Sequence, residues 1–263
     1  MPRRPRAVVP GIPHHITQRG NRQAQVFFGD DDRRFYLARL KDYAEAAGVD
    51  VLAYCLMANH IHLVVAPRGP DGLQRLLRPL HARYAQHINR RFDWSGHLWQ
   101  GRYFSAALDE PYFWSAMRYV ERNPVRTGMT QRAEDYRWSS AQAHCGLRHD
   151  TILSADPRWR ALKTRIRDWP RWLETDEPTD RLEALRKHTD QGLPCGSDHF
   201  VRRLGALAGR ALQSRPRGRP RKSQKGDGAL FLSFGLHPLC ETQKLGTGCD
   251  PWRMGLLRSS PMR

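Results

Sequence analysis

Two short stretches carry residue types that can do chemistry together. The first is Met57-Ala58-Asn59-His60-Ile61-His62-Leu63-Val64-Val65, which reads as a turn entering a short β-strand. Side chains alternate across a strand, so His60 and His62 project from one face while Ile61 and Leu63 enter the other. Two imidazoles so placed can share one metal ion; equally, they can be two hydrogen-bonded histidines on a half-buried strand. The second stretch is Tyr119-Val120-Glu121-Arg122-Asn123-Pro124. On a helix, four residues advance by about 400°, so Tyr119 and Asn123 lie about 40° apart on one face. Beside them runs the apolar stripe of Phe113, Met117 and Val120. The plain alternative is an edge-of-core tyrosine and an asparagine C-cap ahead of a proline.

Combined, the pieces describe a reaction centre. His60, His62 and Asn123 would hold a divalent cation by mixed nitrogen and oxygen ligation, compatible with Mg²⁺ or Mn²⁺. The cation would polarise a phosphodiester as a Lewis acid, and Tyr119 would attack it. A phenol in water is only about 0.1% ionised at pH 7, which costs about 4 kcal/mol before attack. Charge stabilisation by a metal is worth several kcal/mol and can offset this. A phosphotyrosine product conserves the bond energy of the phosphodiester, which suits strand transfer better than hydrolysis.

The elements that must position these groups follow from pattern. His14 to Arg19 is a first strand closed by Gly20-Asn21. Asp30-Asp31-Asp32 opens a helix that ends at Gly48. Val49 to Leu56 and the histidine strand form a hairpin. Leu73, Leu76, Leu77, Leu80, Tyr84 and Ile88 make a second amphipathic helix, with a kink expected at Pro79. Phe104 to Leu108 is a fourth strand, and Asp109 caps a third helix expected to end near Asn123, ahead of Pro124. The fold class is α+β: a ferredoxin-like βαββαβ antiparallel sheet with helices, then a helical C-terminal extension. Tyr136 to Ala141 is expected to begin a further helix, residues 174–180 to be a linker, and Leu182–His188 and Phe200–Leu212 to be two helices.

Composition narrows the partner. The chain has 263 residues, 44 Lys and Arg against 26 Asp and Glu, and a formal charge of +18. Self-repulsion of that size calls for a polyanionic partner. Arginine dominates, and its planar fork matches phosphates and stacks on bases, which favours nucleic acid over a membrane surface. No apolar run approaches the ~20 residues of a spanning helix, and the N-terminal arginines precede no apolar stretch of a secretory signal. Five dispersed cysteines argue for reduced thiols and a cytoplasmic location, and against a cysteine zinc site.

At these residues the chain resembles the HUH single-tyrosine transposases, and within them the REP-associated tyrosine transposases. His60-Ile61-His62 matches the family's histidine–hydrophobic–histidine motif. Tyr119-Val120-Glu121-Arg122-Asn123-Pro124-Val125 matches its nucleophile helix, with the metal-binding amide on Asn123. Thr17-Gln18-Arg19-Gly20-Asn21, Leu98-Trp99-Gln100-Gly101-Arg102 and Trp138-Ser139-Ser140 match in order, over about residues 8–145. The resemblance implies cleavage of single-stranded, hairpin DNA through a 5′-phosphotyrosine with a free 3′-OH. Asparagine rather than glutamine as third ligand favours the REP-associated branch. Two alternatives belong to other classes: a domesticated DNA-binding regulator without chemistry, and a relaxase or replication initiator. The latter usually has a longer histidine cluster and often two tyrosines.

The expected organisation is a catalytic domain at 1–145, a helical extension at 146–175, a basic helical DNA-binding segment at 176–223 and a disordered tail at 224–263. Arg19, Asn21, Arg75, Arg78, Arg83 and Arg102 are the expected DNA contacts, with Arg90 and Arg91 on the same helix face. Trp94, Trp99 and Tyr103 are expected to stack bases. Arg219 and Arg221 sit in an AT-hook-like Gly-Arg-Pro-Arg-Lys run suited to an A/T-rich minor groove. His14, His15, His81 and His87 are assigned structural or solvent-facing places. The protein is expected to act as a monomer or homodimer.

Overall fold

A computed structural model describes residues 7–212. The AT-hook-like run with Arg219 and Arg221, and the 224–263 tail, lie outside the described residues.

Four strands, β1 (His14–Arg19), β2 (Val49–Leu56), β3 (His60–Pro67) and β4 (Phe104–Ala107), form one antiparallel sheet in the order β2-β3-β1-β4. With α1 (Asp30–Ala47) and α2 (Gly72–Phe92) as crossovers, this is the ferredoxin-like arrangement read from the pattern. Helix α1 starts at an acidic cluster. There the Asp32 carboxyl reaches back to accept from the backbone N–H groups of Phe28 and Gly29 at 2.9 and 3.1 Å. It ends at Gly48, whose φ of 63° is the left-handed conformation glycine adopts without steric cost. Helix α2 runs unbroken through Pro79, and its leucine, tyrosine and isoleucine stripe is fully buried. The two helices pack together under the face that receives Ile61, Leu63 and Val65.

The opposite face is covered by α3 (Glu110–Glu121) and α8 (Thr179–Gln191); the other later helices are α4 (Asn123–Arg126), α5 (Ala141–His144), α6 (Pro157–Lys163), α7 (Trp169–Glu174) and α9 (Asp198–Leu207). Asp109 caps α3 by accepting from the Tyr112 N–H at 3.1 Å, and α3 packs across β1, β2 and β3.

One expectation gains an addition and two change. Helix α3 ends at Glu121, near the expected stop, and Asn123 and Pro124 then open α4, where Thr127 N–H donates to the Asn123 carbonyl at 3.2 Å. A proline in a first helical turn loses no bond, since its N–H would have had no partner there. Tyr136–Ser140 is not helical. Leu56 N–H donates to the Trp138 carbonyl at 2.9 Å, and Ser140 N–H to the Tyr54 carbonyl at 3.0 Å. The segment thereby pairs with the open edge of β2, whose backbone groups need partners. At the other edge Cys195 does the same for β4: its N–H donates to the Ala107 carbonyl at 2.8 Å, and its carbonyl accepts from Asp109 N–H at 3.0 Å. Finally, the expected linker at 174–180 is clamped to α3. The half-buried Glu177 meets Arg118 at 2.7 Å, and Asp176 meets Arg122 at 3.0 Å.

Among the described residues no helix is long and apolar enough to cross a membrane. Cys55, Cys145 and Cys195 are free thiols.

Candidate active site

Strand register decides which residues share a face. Thr17 stands opposite His62 and Phe104, and Arg19 opposite His60, so the odd-numbered residues of β1 join the two histidines. Over them lies α3, and α8 closes the side by packing on β4, α3 and β1. The result is a cavity of about 620 Å³ lined by His15, Thr17, Arg19, His60, His62, Gln100, Phe104, Tyr119, Asn123, Arg126, Thr127, Arg186, Thr189 and Asp190.

Tyr119, His60, His62 and Asn123 therefore converge on one space. The His60 and His62 rings are 4.8 Å apart between centroids, and the Tyr119 ring stands edge-on to His62 at 5.2 Å. Asn123 is buried, and its amide nitrogen has no hydrogen-bond partner. Rotation by 180° about χ2 exchanges the two ends of an amide, so the same position can present oxygen to a cation.

The histidines are held neutral, as ligation requires. Burial, then the charges of Arg19 and Arg126, lower the His60 pKa to about 4. Burial foremost, with His60, His15 and the same arginines contributing, puts His62 well below the ordinary histidine value. The Asn59 amide N–H₂ donates to the Gln23 carbonyl at 3.1 Å, which turns its oxygen toward His60 Nδ1 at 2.6 Å. His60 Nδ1 must then carry the proton, leaving the Nε2 lone pair free. Among the described residues, no three His, Cys, Asp or Glu side chains group to hold a metal. Asn123 offers an oxygen donor beside the imidazole pair, and neutral imidazoles with a buried amide fit an ion that accepts mixed ligands.

Several lining residues escaped the reading of the sequence. His15, assigned a structural place, is fully buried in the site, with its Nε2 3.1 Å from His62 Nδ1. The guanidiniums of Arg126 and Arg186 lie 4.1 and 5.4 Å from the Tyr119 ring centroid. Arg126 is seven residues after Tyr119, two helical turns on; the helix stop expected at Asn123 hid that spacing. Arg186, Thr189 and Asp190 lie on α8, far off in sequence, where no local signal pointed to the site.

The expected DNA contacts are spread over the surface. Arg19 is exposed at the cavity, while Asn21 is exposed at the start of a one-turn 3-10 helix (Asn21–Gln23) and Arg102 in the loop before β4. Arg75, Arg78 and Arg83 are exposed on α2, and none of them lines the cavity. Arg75 also donates to the Ala46 carbonyl at 3.1 Å. Arg91 is paired with the buried Asp32 at 2.5 Å. Trp99 is in the core, donating from its indole to the His81 carbonyl at 3.0 Å, so its ring is not free to stack a base. Trp94 remains 48% exposed and stacks on Phe92.

Residues 8–123 match the family model described as "Transposase IS200 like", which bears out the resemblance to the single-tyrosine transposases over that span. No curated protein matches the chain. One solved structure, a REP-associated tyrosine transposase bound to a REP hairpin, is 18% identical, with 59% of this chain and 92% of that chain covered and a TM-score of 0.47. Another, from Deinococcus radiodurans R1 and provisionally described as a transposase, is 22% identical, with 46% of this chain and 97% of that chain covered and a TM-score of 0.33.

Proposed function

We propose that the protein cleaves and rejoins single-stranded hairpin DNA with Tyr119 as nucleophile. The observation that carries this reading is the convergence of Tyr119, His60, His62 and Asn123 on one cavity walled by arginines. His60, His62 and Asn123 would hold Mg²⁺ or Mn²⁺. Bound there, the cation supplies Lewis-acid polarisation of the scissile phosphate.

The chain's own residues do the rest. Tyr119 Oη forms a bond to phosphorus as the P–O3′ bond breaks. The phenol gives up its proton, and the departing oxygen leaves as a 3′-hydroxyl. The 5′ phosphate stays on Tyr119, and attack by another 3′-hydroxyl reverses the step on a new strand, with no net hydrolysis. Arg126 and Arg186 flank the phenol ring and offer positive charge to the phosphate. Arg19 extends that charge along the strand, with Asn21 and Arg102 beyond it. The match over residues 8–123 supports a transposase, and Asn123 in place of glutamine favours the REP-associated branch by resemblance.

In this reading residues 1–145 form the catalytic domain, 146–175 its helical extension and 176–223 a further DNA-binding segment, whose α8 adds Arg186, Thr189 and Asp190 to the wall of the site. Through that last segment an A/T-rich duplex would be a second partner. The protein works in the cytoplasm, on DNA.

Incubation with a hairpin-bearing single strand and Mn²⁺ tests the proposal. An SDS-stable protein–DNA adduct is expected from the wild type and none from Tyr119→Phe. An adduct that survives Tyr119→Phe assigns the nucleophile elsewhere. Tight binding with no adduct in either favours a regulator that does no chemistry.

A further inference from the structure

Helix α8 lies beyond residues 8–123, yet it is wired to one of the candidate ligands through three hydrogen bonds. Thr189 Oγ1 is 2.7 Å from the Leu185 carbonyl, His15 Nδ1 is 2.9 Å from Thr189 Oγ1, and His15 Nε2 is 3.1 Å from His62 Nδ1. The His15 and His62 ring planes are parallel within 4°. Thr189 and His15 are both buried, at 1% exposure each, so water does not compete along this chain.

With all three contacts made as hydrogen bonds, proton counting gives the chain one direction. A carbonyl can only accept, so the one hydroxyl proton of Thr189 goes to Leu185. Thr189 Oγ1 must then accept, and His15 Nδ1 must donate to it. A neutral imidazole has one N–H, so His15 Nε2 bears a lone pair and accepts from His62 Nδ1–H. The Nε2 lone pair of His62 is left uncommitted, which is what a metal ligand needs. With the protons reversed, His62 would carry hydrogen on Nε2 and could not ligate through it.

We infer that Thr189 and His15 are positioning residues that set the tautomer of His62, so that α8 completes the site rather than merely covering it. The inference rests on the proposed function for what the Nε2 lone pair is for, though not for the proton order itself. Metal-binding histidines are oriented in the same general way by the partner of the second ring nitrogen, and loss of such a partner costs about 10–100-fold in metal affinity.

The experiment uses the full chain labelled with ¹⁵N-histidine, in metal-free buffer. Two-bond ¹H–¹⁵N correlations distinguish the two tautomers. In the wild type, His15 and His62 are both expected to carry the proton on Nδ1. Thr189→Val keeps the shape and removes the acceptor. It is expected to shift His62 toward the Nε2–H form and weaken Mn²⁺ binding, read by titration calorimetry, by about 10–100-fold. Thr189→Ser is expected to restore both. A wild-type His62 with its proton on Nε2 overturns the inference without any variant. So does a Thr189→Val protein with unchanged tautomer and unchanged Mn²⁺ affinity. A wild type that shows the expected tautomers and binds Mn²⁺ but forms no DNA adduct supports the proton chain and contradicts the transposase reading, so the two fail separately.

Discussion

Tyr119 and Glu121 sit two residues apart on α3 and serve opposite sides of it. Two residues turn a helix by about 200°, so one side chain faces the sheet cavity while the other enters the C-terminal extension. Tyr119 stands against the His62 ring. The fully buried Glu121 carboxyl lies 2.5 Å from both the Ser140 hydroxyl and His144 Nδ1, and 2.8 Å from the Trp169 indole nitrogen. The helix that carries the nucleophile is thus anchored from behind, by α5, α7 and the segment that pairs with β2.

Glu121→Ala should therefore be costly for a residue outside the reaction. It leaves the buried Trp169 indole without its acceptor and takes a partner from Ser140 and from the half-buried His144, and about 2–4 kcal/mol of stability is expected to go. Urea unfolding at pH 7 measures it. A loss below about 1 kcal/mol would mean that the extension does not hold α3 in place.

Acid should unfold the protein through its buried histidines. Burial lowers the pKa of His14 and of His81 from 6.5 to about 3. Between those values the unfolded chain binds protons that the folded chain refuses, so stability falls as pH drops from 6.5 toward 3 and is unaffected above 6.5. Each such histidine steepens the acid limb by up to about 1.4 kcal/mol per pH unit. Both ring nitrogens of His14 lack partners, so His14→Leu should flatten that limb. The check is urea unfolding at pH 7, 6, 5 and 4; an acid limb as steep as the wild type's goes against the assignment.

Arg126 should contribute one phosphate contact. Arg126→Ala is expected to weaken single-strand binding and to reduce the slope of log K against log salt by about 0.7. Fluorescence anisotropy from 50 to 300 mM salt reads the slope. An unchanged slope would leave Arg126 stacking on Tyr119 without touching DNA.

Asn123 is expected to set cation affinity. Asn123→Ala should lower Mn²⁺ affinity about tenfold or more, and Asn123→Asp, with its added negative charge, should raise it. Equal affinity in all three proteins removes Asn123 from the ligand set.

The sheet and its first three helices were legible because they are written locally. Alternation marked β3, the leucine stripe marked α2, and Asp109 with Pro111 marked the start of α3. The placement of His60, His62, Tyr119 and Asn123 on facing elements followed from the same two periodicities. The rest of the cavity wall was hidden for a different reason. His15 needed the register of β1 against β3, and Arg126 needed a helix that resumes at Asn123. Arg186 and Thr189 needed the docking of α8, which is fixed by packing against β4 and α3 and leaves no local trace. Tyr136–Ala141 suits the start of a helix by pattern, but the unpaired edge of β2 dictates the conformation through Ser140, and the helix begins only at Ala141.

The most direct test of the account is to find the bond it requires. After reaction of the wild type with a hairpin strand and Mn²⁺, the adduct is digested with protease and nuclease, and the modified peptide is sequenced by mass spectrometry. The account predicts a nucleotide joined through its 5′ phosphate to Tyr119, with a free 3′-hydroxyl on the released strand. A nucleotide on any other residue, or cleavage products with no covalently modified peptide, would contradict it.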